Sequence, residues 1–153
     1  HISPETEVVT IEAFVLPDNL EELLAGVCGT IDYIVDAIDT VAAKLALAEY
    51  AEKHNIPLIA SMGTGNKLHP ELFQIADISE TSVCPLCRVM RKELKTRGIQ
   101  SLKVCWSPEK PLMPAPAEED TGSRRSTPGS ISFVPPAAGL MIAGEIVRNI
   151  CGL

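Results

Sequence analysis

The 153-residue sequence has no glycine-rich loop of the kind that cradles nucleotide phosphates against a helix N-terminus. It also has no run long and uncharged enough to cross a bilayer. Its most apolar stretch, PPAAGLMIAGEIVRNICGL, carries Glu145 and Arg148 inside the would-be span, so a packed terminal helix and no membrane association are expected. No secretory leader is expected, and the five cysteines are an odd number, which points to a reducing cytoplasm rather than a disulfide scaffold. No internal repeat is present. His1, His54 and His69 stand apart from any serine or cysteine at a useful spacing, so no nucleophilic triad is legible. A net charge of −7 excludes a broad cationic face, although a local basic patch remains compatible with it.

What is present is an ordinary globular composition, 46% hydrophobic and 22% charged, in a length that suits one domain covering residues 1–153. Residues 8–16 are rich in Val, Ile and Phe and predict a strand. NLEELLAG predicts a short helix, with Asp18 and Glu21 at capping-box spacing. Residues 33–38 and 57–62 are apolar runs of the kind buried on both faces of a parallel sheet. Between them lies a helix with Val41, Leu45 and Ala48 at helical spacing, Asp39 or Thr40 as its cap and Asn55 as its stop. Strand, helix and strand imply a right-handed parallel crossover. After Gly63 come short strand-like pieces, then CPLCRVMRKELKTRG, a helix with Pro85 in its first turn and Gly98 at its end. Residues 102–106 predict a strand. Residues 107–130 are rich in Pro, Ser and charge and predict a flexible loop or lid. Residues 131–134 predict a last strand before the terminal helix.

Several clusters could carry chemistry. Asp36 and Asp39 close a buried parallel strand, where open α/β sheets bind ligands and where a carboxylate can hold Mg²⁺ on a nucleotide or accept a ribose hydroxyl. Equally, Asp39 could cap the helix and Asp36 serve a turn. Gly63-Thr64-Gly65-Asn66 ends the next strand, and Lys67 could approach an anion there, although GTG alone is as readily a tight turn. Cys84 and Cys87 form a CxxC. Structural zinc needs four ligands, and Cys28, Cys105 and Cys151 are isolated, so zinc is disfavoured. At a helix N-terminus Cys84 would have a lowered pKa, but buried, unreactive thiols are the commoner case. Arg88, Lys92 and Lys95 share one helix face, with Arg91 and Arg97 nearby and Leu86, Val89, Met90 and Leu94 opposite. That face could track an RNA backbone, with Arg124 and Arg125 extending it. It could also be a solvated face with Glu93 and Arg97 paired.

Taken together, residues 32–99, and above all SMGTGNKLHPELFQIADISETSVCPL with the terminal SISFVPPAAGLMIAGEIVRNI, closely resemble the ThiF/MoeB/HesA adenylating superfamily. Within it they look like the tRNA threonylcarbamoyladenosine dehydratase branch. The resemblance implies a Rossmann-like three-layer α/β fold whose parallel strands are followed by mixed ones. It implies ATP and Mg²⁺ as cofactors, and leaves room for a monovalent cation. The implied reaction adenylates the threonylcarbamoyl carboxylate on adenosine 37 of tRNA, after which ring closure loses water. DAIDT then supplies Asp39 as the Mg-ATP aspartate, with Asp36, Ala37 and Ile38 lining the crevice beside Gly63 and Lys67. Implied partners are tRNA, a second copy in a homodimer, and a sulfur-transfer or small carrier protein. The family's glycine-rich loop and triphosphate-gripping residues lie upstream of what is seen here, so the chain is expected to be a fragment, inactive alone. The rival readings are an activator of a small carrier protein, a nicotinamide-binding oxidoreductase and a non-enzymatic dimerisation module.

Overall fold

Two apolar strands and the helix between them set the centre of the fold. In a computed structural model, which describes residues 3–27, 30–113 and 128–153, β1 (Ile34–Asp36) and β2 (Leu58–Ser61) pair in parallel with Ile34 opposite Leu58. The connection is α2 (Val41–His54). Its end is the expected one: Asn55 adopts φ 53°, the left-handed conformation that asparagine tolerates and that turns a chain off a helix. β4 (Lys103–Trp106) lies parallel to β2, and β3 (Gln74–Asp77) runs antiparallel on β4's far side. The strand order is β1-β2-β4-β3.

Helices cover both faces, giving the three layers expected. α2 and α3 (Pro85–Thr96) bury Leu45, Ala48, Met90 and Leu94 against one face of the sheet. α4 (Val134–Cys151) buries Val134, Ala138 and Ile142 against Ile59 and Cys105 on the other. α1 (Leu20–Ala25) packs on the outside of α2. α2 is therefore enclosed from several directions, which is why it shows little amphipathic contrast and buries even Lys44.

Four local expectations fail for physical reasons. Residues 8–16 form no strand and leave Val8 77% and Phe14 90% exposed, because β-propensity without a neighbouring strand supplies no ladder hydrogen bonds. Residues 131–134 form a turn entering α4, since Pro135 and Pro136 lack ladder donors and suit a helix's first positions. The Asp18–Glu21 capping box is absent. Asn19 occupies the cap, and its side chain accepts from Leu16 N and donates to Phe14 O, both at 2.8 Å. On α3, Val89 is 45% exposed rather than buried, being two residues from Cys87 and so on nearly the opposite side of the helix.

Candidate functional site

β1, β2 and β4 are parallel, so their carboxyl ends meet along one edge of the sheet. Asp36 is the last residue of β1, turned toward α2 and fully buried. Its Oδ2 lies 3.0 Å from Lys44 Nζ, and its Oδ1 accepts the Ile38 N–H at 3.0 Å. Lys44 Nζ also donates to the carbonyl of Ser61, the last residue of β2, at 2.8 Å. One ammonium thus ties α2, β1 and β2 together in a place where either charge alone would be costly. This corrects the expectation that the Asp36 side chain faces a ligand: its carboxylate is engaged inside the protein and shapes the loop that follows.

That loop presents the other three predicted residues. Ala37 is exposed, and Ile38 packs beside the α1–α2 cluster. Asp39 is exposed, and its carboxylate takes part in no hydrogen bond or ion pair among the described residues. The cap position of α2 falls to Thr40, whose side chain makes no capping bond. The helix therefore opens on solvent with its first N–H groups uncapped by a side chain, next to the Asp39 carboxylate. Val35, Ala37, Ser61 and Thr64 line a hollow of about 350 Å³ whose far wall is Gly139 and Ile142 of α4. A larger hollow, about 470 Å³, sits at the opposite end of the sheet by Pro57 and Lys103. Open α/β sheets bind ligands beyond their strands' carboxyl ends, which favours the smaller one.

The turn after β2 does two jobs. Gly63 is exposed, with open space where a Cβ would stand. Gly65 has no such space, because a Cβ there would meet the Pro128 Cβ at 2.8 Å. Asn66, at φ 55°, donates its N–H to Gly129 O at 2.8 Å, and its Oδ1 accepts Gly129 N–H at 2.7 Å. Its carbonyl accepts Leu112 N–H at 2.7 Å. The turn is thus a buckle joining residue 112 to residue 129. Lys67 departs from expectation: it is buried, and Nζ donates to Glu109 O at 2.6 Å instead of reaching into the crevice. The Glu109 carboxylate accepts from the N–H groups of Leu68 and His69, so residues 67–69 fold under the loop after β4.

On α3, Arg88, Lys92 and Lys95 are exposed together. Arg91 is not part of that face. Its guanidinium turns inward and donates to Ile78 O at 3.3 Å, Thr81 O at 2.9 Å and the Thr81 hydroxyl. Glu93 and Arg97 are paired at 2.8 Å, and Arg97 also reaches Glu49 of α2 at 2.9 Å. Cys84 caps α3, its sulfur accepting the Cys87 N–H at 3.5 Å. No three His, Cys, Asp or Glu side chains gather as a metal-ligand group among the described residues. Arg124, Arg125, His1 and Cys28, like most of the predicted 107–130 loop, lie outside the described residues. Sequence reasoning passed over Lys44 and Glu109. A lysine flanked by Ala and Leu in the first turn of a helix was the one available signal of the two.

Over residues 1–153 the sequence matches the ThiF family. The tRNA threonylcarbamoyladenosine dehydratase of Bacillus subtilis is 35% identical over 158 residues, which is 97% of this chain and 61% of that protein. The tRNA threonylcarbamoyladenosine dehydratase 2 of Saccharomyces cerevisiae is 41% identical over 125 residues, 77% of this chain and 28% of that protein. The structure of the E. coli tRNA N6-threonylcarbamoyladenosine dehydratase TcdA in complex with AMP superposes with a TM-score of 0.81 at 26% identity. That match covers 99% of this chain and 60% of the other. The chain therefore spans about three fifths of the length of the bacterial relatives.

Proposed function

The chain belongs to the ThiF family, and from that premise we propose that it contributes the aspartate side of the nucleotide crevice in an ATP-dependent, tRNA-modifying dehydratase. The substrate is N6-threonylcarbamoyladenosine in tRNA, whose free carboxylate is activated by adenylation and then closes a ring with loss of water. The observation that carries this reading is the Asp39 carboxylate, exposed and free of protein partners among the described residues, at the carboxyl end of β1 beside the amino terminus of α2. Support also comes from the relatives, whose names state a dehydratase acting on tRNA threonylcarbamoyladenosine, and from the AMP- and ATP-bound structures of the E. coli protein.

The donor set fits a hard divalent cation of the Mg²⁺ type, which is held by one or two carboxylates together with substrate phosphates. Asp39 would hold it, and the cation's chemistry there is to neutralise charge on the phosphates. The chain's own residues do the rest. The Asp36–Lys44–Ser61 linkage fixes the loop from which Asp39 projects. Ala37, Thr64 and the open backbone at Gly63 provide uncrowded walls for the nucleotide. The α2 N-terminus favours negative charge placed against it. A monovalent cation, a homodimer, a small carrier or sulfur-transfer protein as partner, and a cytoplasmic location all belong to this reading. So does tRNA on the Arg88, Lys92 and Lys95 face. No helix among the described residues is long and apolar enough to cross a membrane.

The test incubates the full-length protein with ATP, Mg²⁺ and threonylcarbamoylated tRNA, then weighs the digested nucleoside. The expected result is loss of one water, abolished by Asp39→Ala. An unchanged nucleoside, with ATP–pyrophosphate exchange that requires a small carrier protein, would overturn the reading in favour of carrier activation.

A further inference from the structure

The chemistry above makes no use of the CPLC segment, and its geometry is specific. Val83, a β-branched residue, sits at φ 61°, a conformation such residues rarely adopt. This turn leaves Val83 exposed and carries Cys84 inward to the cap of α3. Pro85 opens the helix, and Cys87 lies one turn on, at the spacing that puts two helix residues on one face. The two residues are linked: the Cys84 sulfur accepts the Cys87 backbone N–H at 3.5 Å, so the thiol of one sits over the helical turn that carries the other. Neither is in a disulfide.

We propose that Cys84 and Cys87 form a redox-active dithiol that reacts with small-molecule disulfides and closes reversibly to an intramolecular disulfide. Cys84, as thiolate, attacks one sulfur of the disulfide RSSR; the S–S bond breaks and RS⁻ leaves, giving a mixed disulfide on Cys84. Cys87 then loses its proton and attacks the Cys84 sulfur, releasing the second RS⁻. Two thiols of the protein are oxidised and RSSR is reduced to two RSH, the two protons coming from the protein thiols. The reverse exchange, with two RSH, restores the dithiol.

The surroundings assign the two roles. The neighbouring Cys87 side chain, assisted by the N–H groups of Cys87, Leu86 and Gly63, holds the Cys84 thiol below its ordinary range despite burial. Cys87 is pushed the other way by its hydrogen bond to Cys84, by burial and by the negative charge beside it. Forming the mixed disulfide removes that charge and most of the acceptor strength at Cys84. Cys87 is then freed to ionise, with the nearby Arg91 guanidinium favouring its thiolate. Cys105 differs: burial alone raises it to about 11. Cys151 is exposed on the last turn of α4, with no second sulfur among its hydrogen-bond partners. A purely structural cap needs a single acceptor, usually Ser, Thr, Asp or Asn, and gives no reason for a second cysteine one helical turn from the first. Both cysteines are at most 5% exposed, yet Ser82, Val83 and Pro85, which flank Cys84 in the chain, are exposed, so the strained 82–85 turn is the route of entry.

The test equilibrates the purified protein, carrying Cys28→Ser and Cys151→Ser, with oxidised and reduced glutathione at graded ratios. After acid quenching, free thiols are alkylated and the peptide containing residues 84–87 is weighed. The expected result is a peptide lighter by two hydrogens that carries no alkyl adduct and is restored by dithiothreitol. Cys87→Ala should halt at a glutathione adduct on Cys84, and Cys84→Ser should give neither product. Full alkylation of both thiols at every ratio would overturn the proposal, as would a glutathione adduct that persists with Cys87 present. The wild-type pair decides this without any substitution in the segment. Because no step is shared with the proposed dehydration, either can fail alone.

Discussion

Lys44 and Asp36 form a buried ion pair at the carboxyl edge of the sheet, 3.0 Å apart, with side chains 2% and 1% exposed. The pair joins the first turn of α2 to the end of β1, and the same ammonium reaches the end of β2. It is a positioning device: it holds the loop that carries Asp39 and is itself closed to solvent.

Removing one member leaves the other as a buried, uncompensated charge. Lys44→Met is therefore expected to cost about 3–5 kcal/mol in urea unfolding, and Asp36→Leu/Lys44→Met to recover a large part of that loss. A cost below about 1 kcal/mol for Lys44→Met would mean that the pair is hydrated in solution.

Asp39 is expected to separate stability from function. With an exposed side chain and no partner among the described residues, Asp39→Asn should change unfolding free energy by less than about 0.5 kcal/mol. In the full-length protein the same change should abolish the thermal stabilisation given by ATP with Mg²⁺. A retained shift would remove Asp39 from the nucleotide site.

The Gly65–Asn66 turn should behave as a clamp on the chain near residues 112 and 129. Gly65→Ala places a Cβ 2.8 Å from that of Pro128, so overpacking of about 1–3 kcal/mol is expected. Asn66→Ala removes the acceptor of the Gly129 N–H at a positive φ, and hydrogen exchange at Gly129 should accelerate. Unchanged protection there would show that this bond does not hold the segment.

Two kinds of arginine on α3 should respond differently to charge change. Reversal at Arg88, Lys92 and Lys95 should weaken tRNA binding and flatten its salt dependence, leaving stability almost unaltered. Arg91→Ala should instead destabilise the fold by about 1–3 kcal/mol, because the Thr81 carbonyl loses its side-chain donor and the Ile78 carbonyl one of its three. Equal salt slopes for wild type and the triple reversal would take α3 out of the tRNA reading.

Acid should weaken the contact between α4 and the sheet. Lys103, followed by Arg148, holds Glu145 down to about 2 from the usual 4.5, and Asp77 is also lowered by hydrogen bonds from Ser101 and Ser79. A depressed folded-state pKa gives stability that is complete above the unfolded value and disappears as pH falls from about 4.5 toward 2. Urea midpoints should fall across that window, and Glu145→Gln should flatten the fall. An identical pH profile for the variant would assign the loss to other groups.

Much of this architecture could be read from local pattern. The apolar runs at 33–38 and 57–62, the spacing of Val41, Leu45 and Ala48, and Asn55 as a stop all depend on interactions within a few residues. So does the place of Pro85 at the start of α3. Position in the DAIDT motif likewise put Asp39 beyond a strand end, because strand direction and helix start follow from neighbouring residues. The failures involve partners distant in the chain. Residues 8–16 have strand composition but no strand to pair with among the described residues, and composition cannot supply one. Asp36, Lys67 and Arg91 each looked like groups for a ligand, and each is engaged by a residue that only folding brings near: Lys44, Glu109 and Thr81. A charged side chain takes the nearest partner that offsets its loss of water, and whether that partner is ligand, solvent or protein is decided by burial. Sequence alone determined where the strands end and which acidic motif lies there. Tertiary structure decided which of its two carboxylates is sealed inside and which is left open.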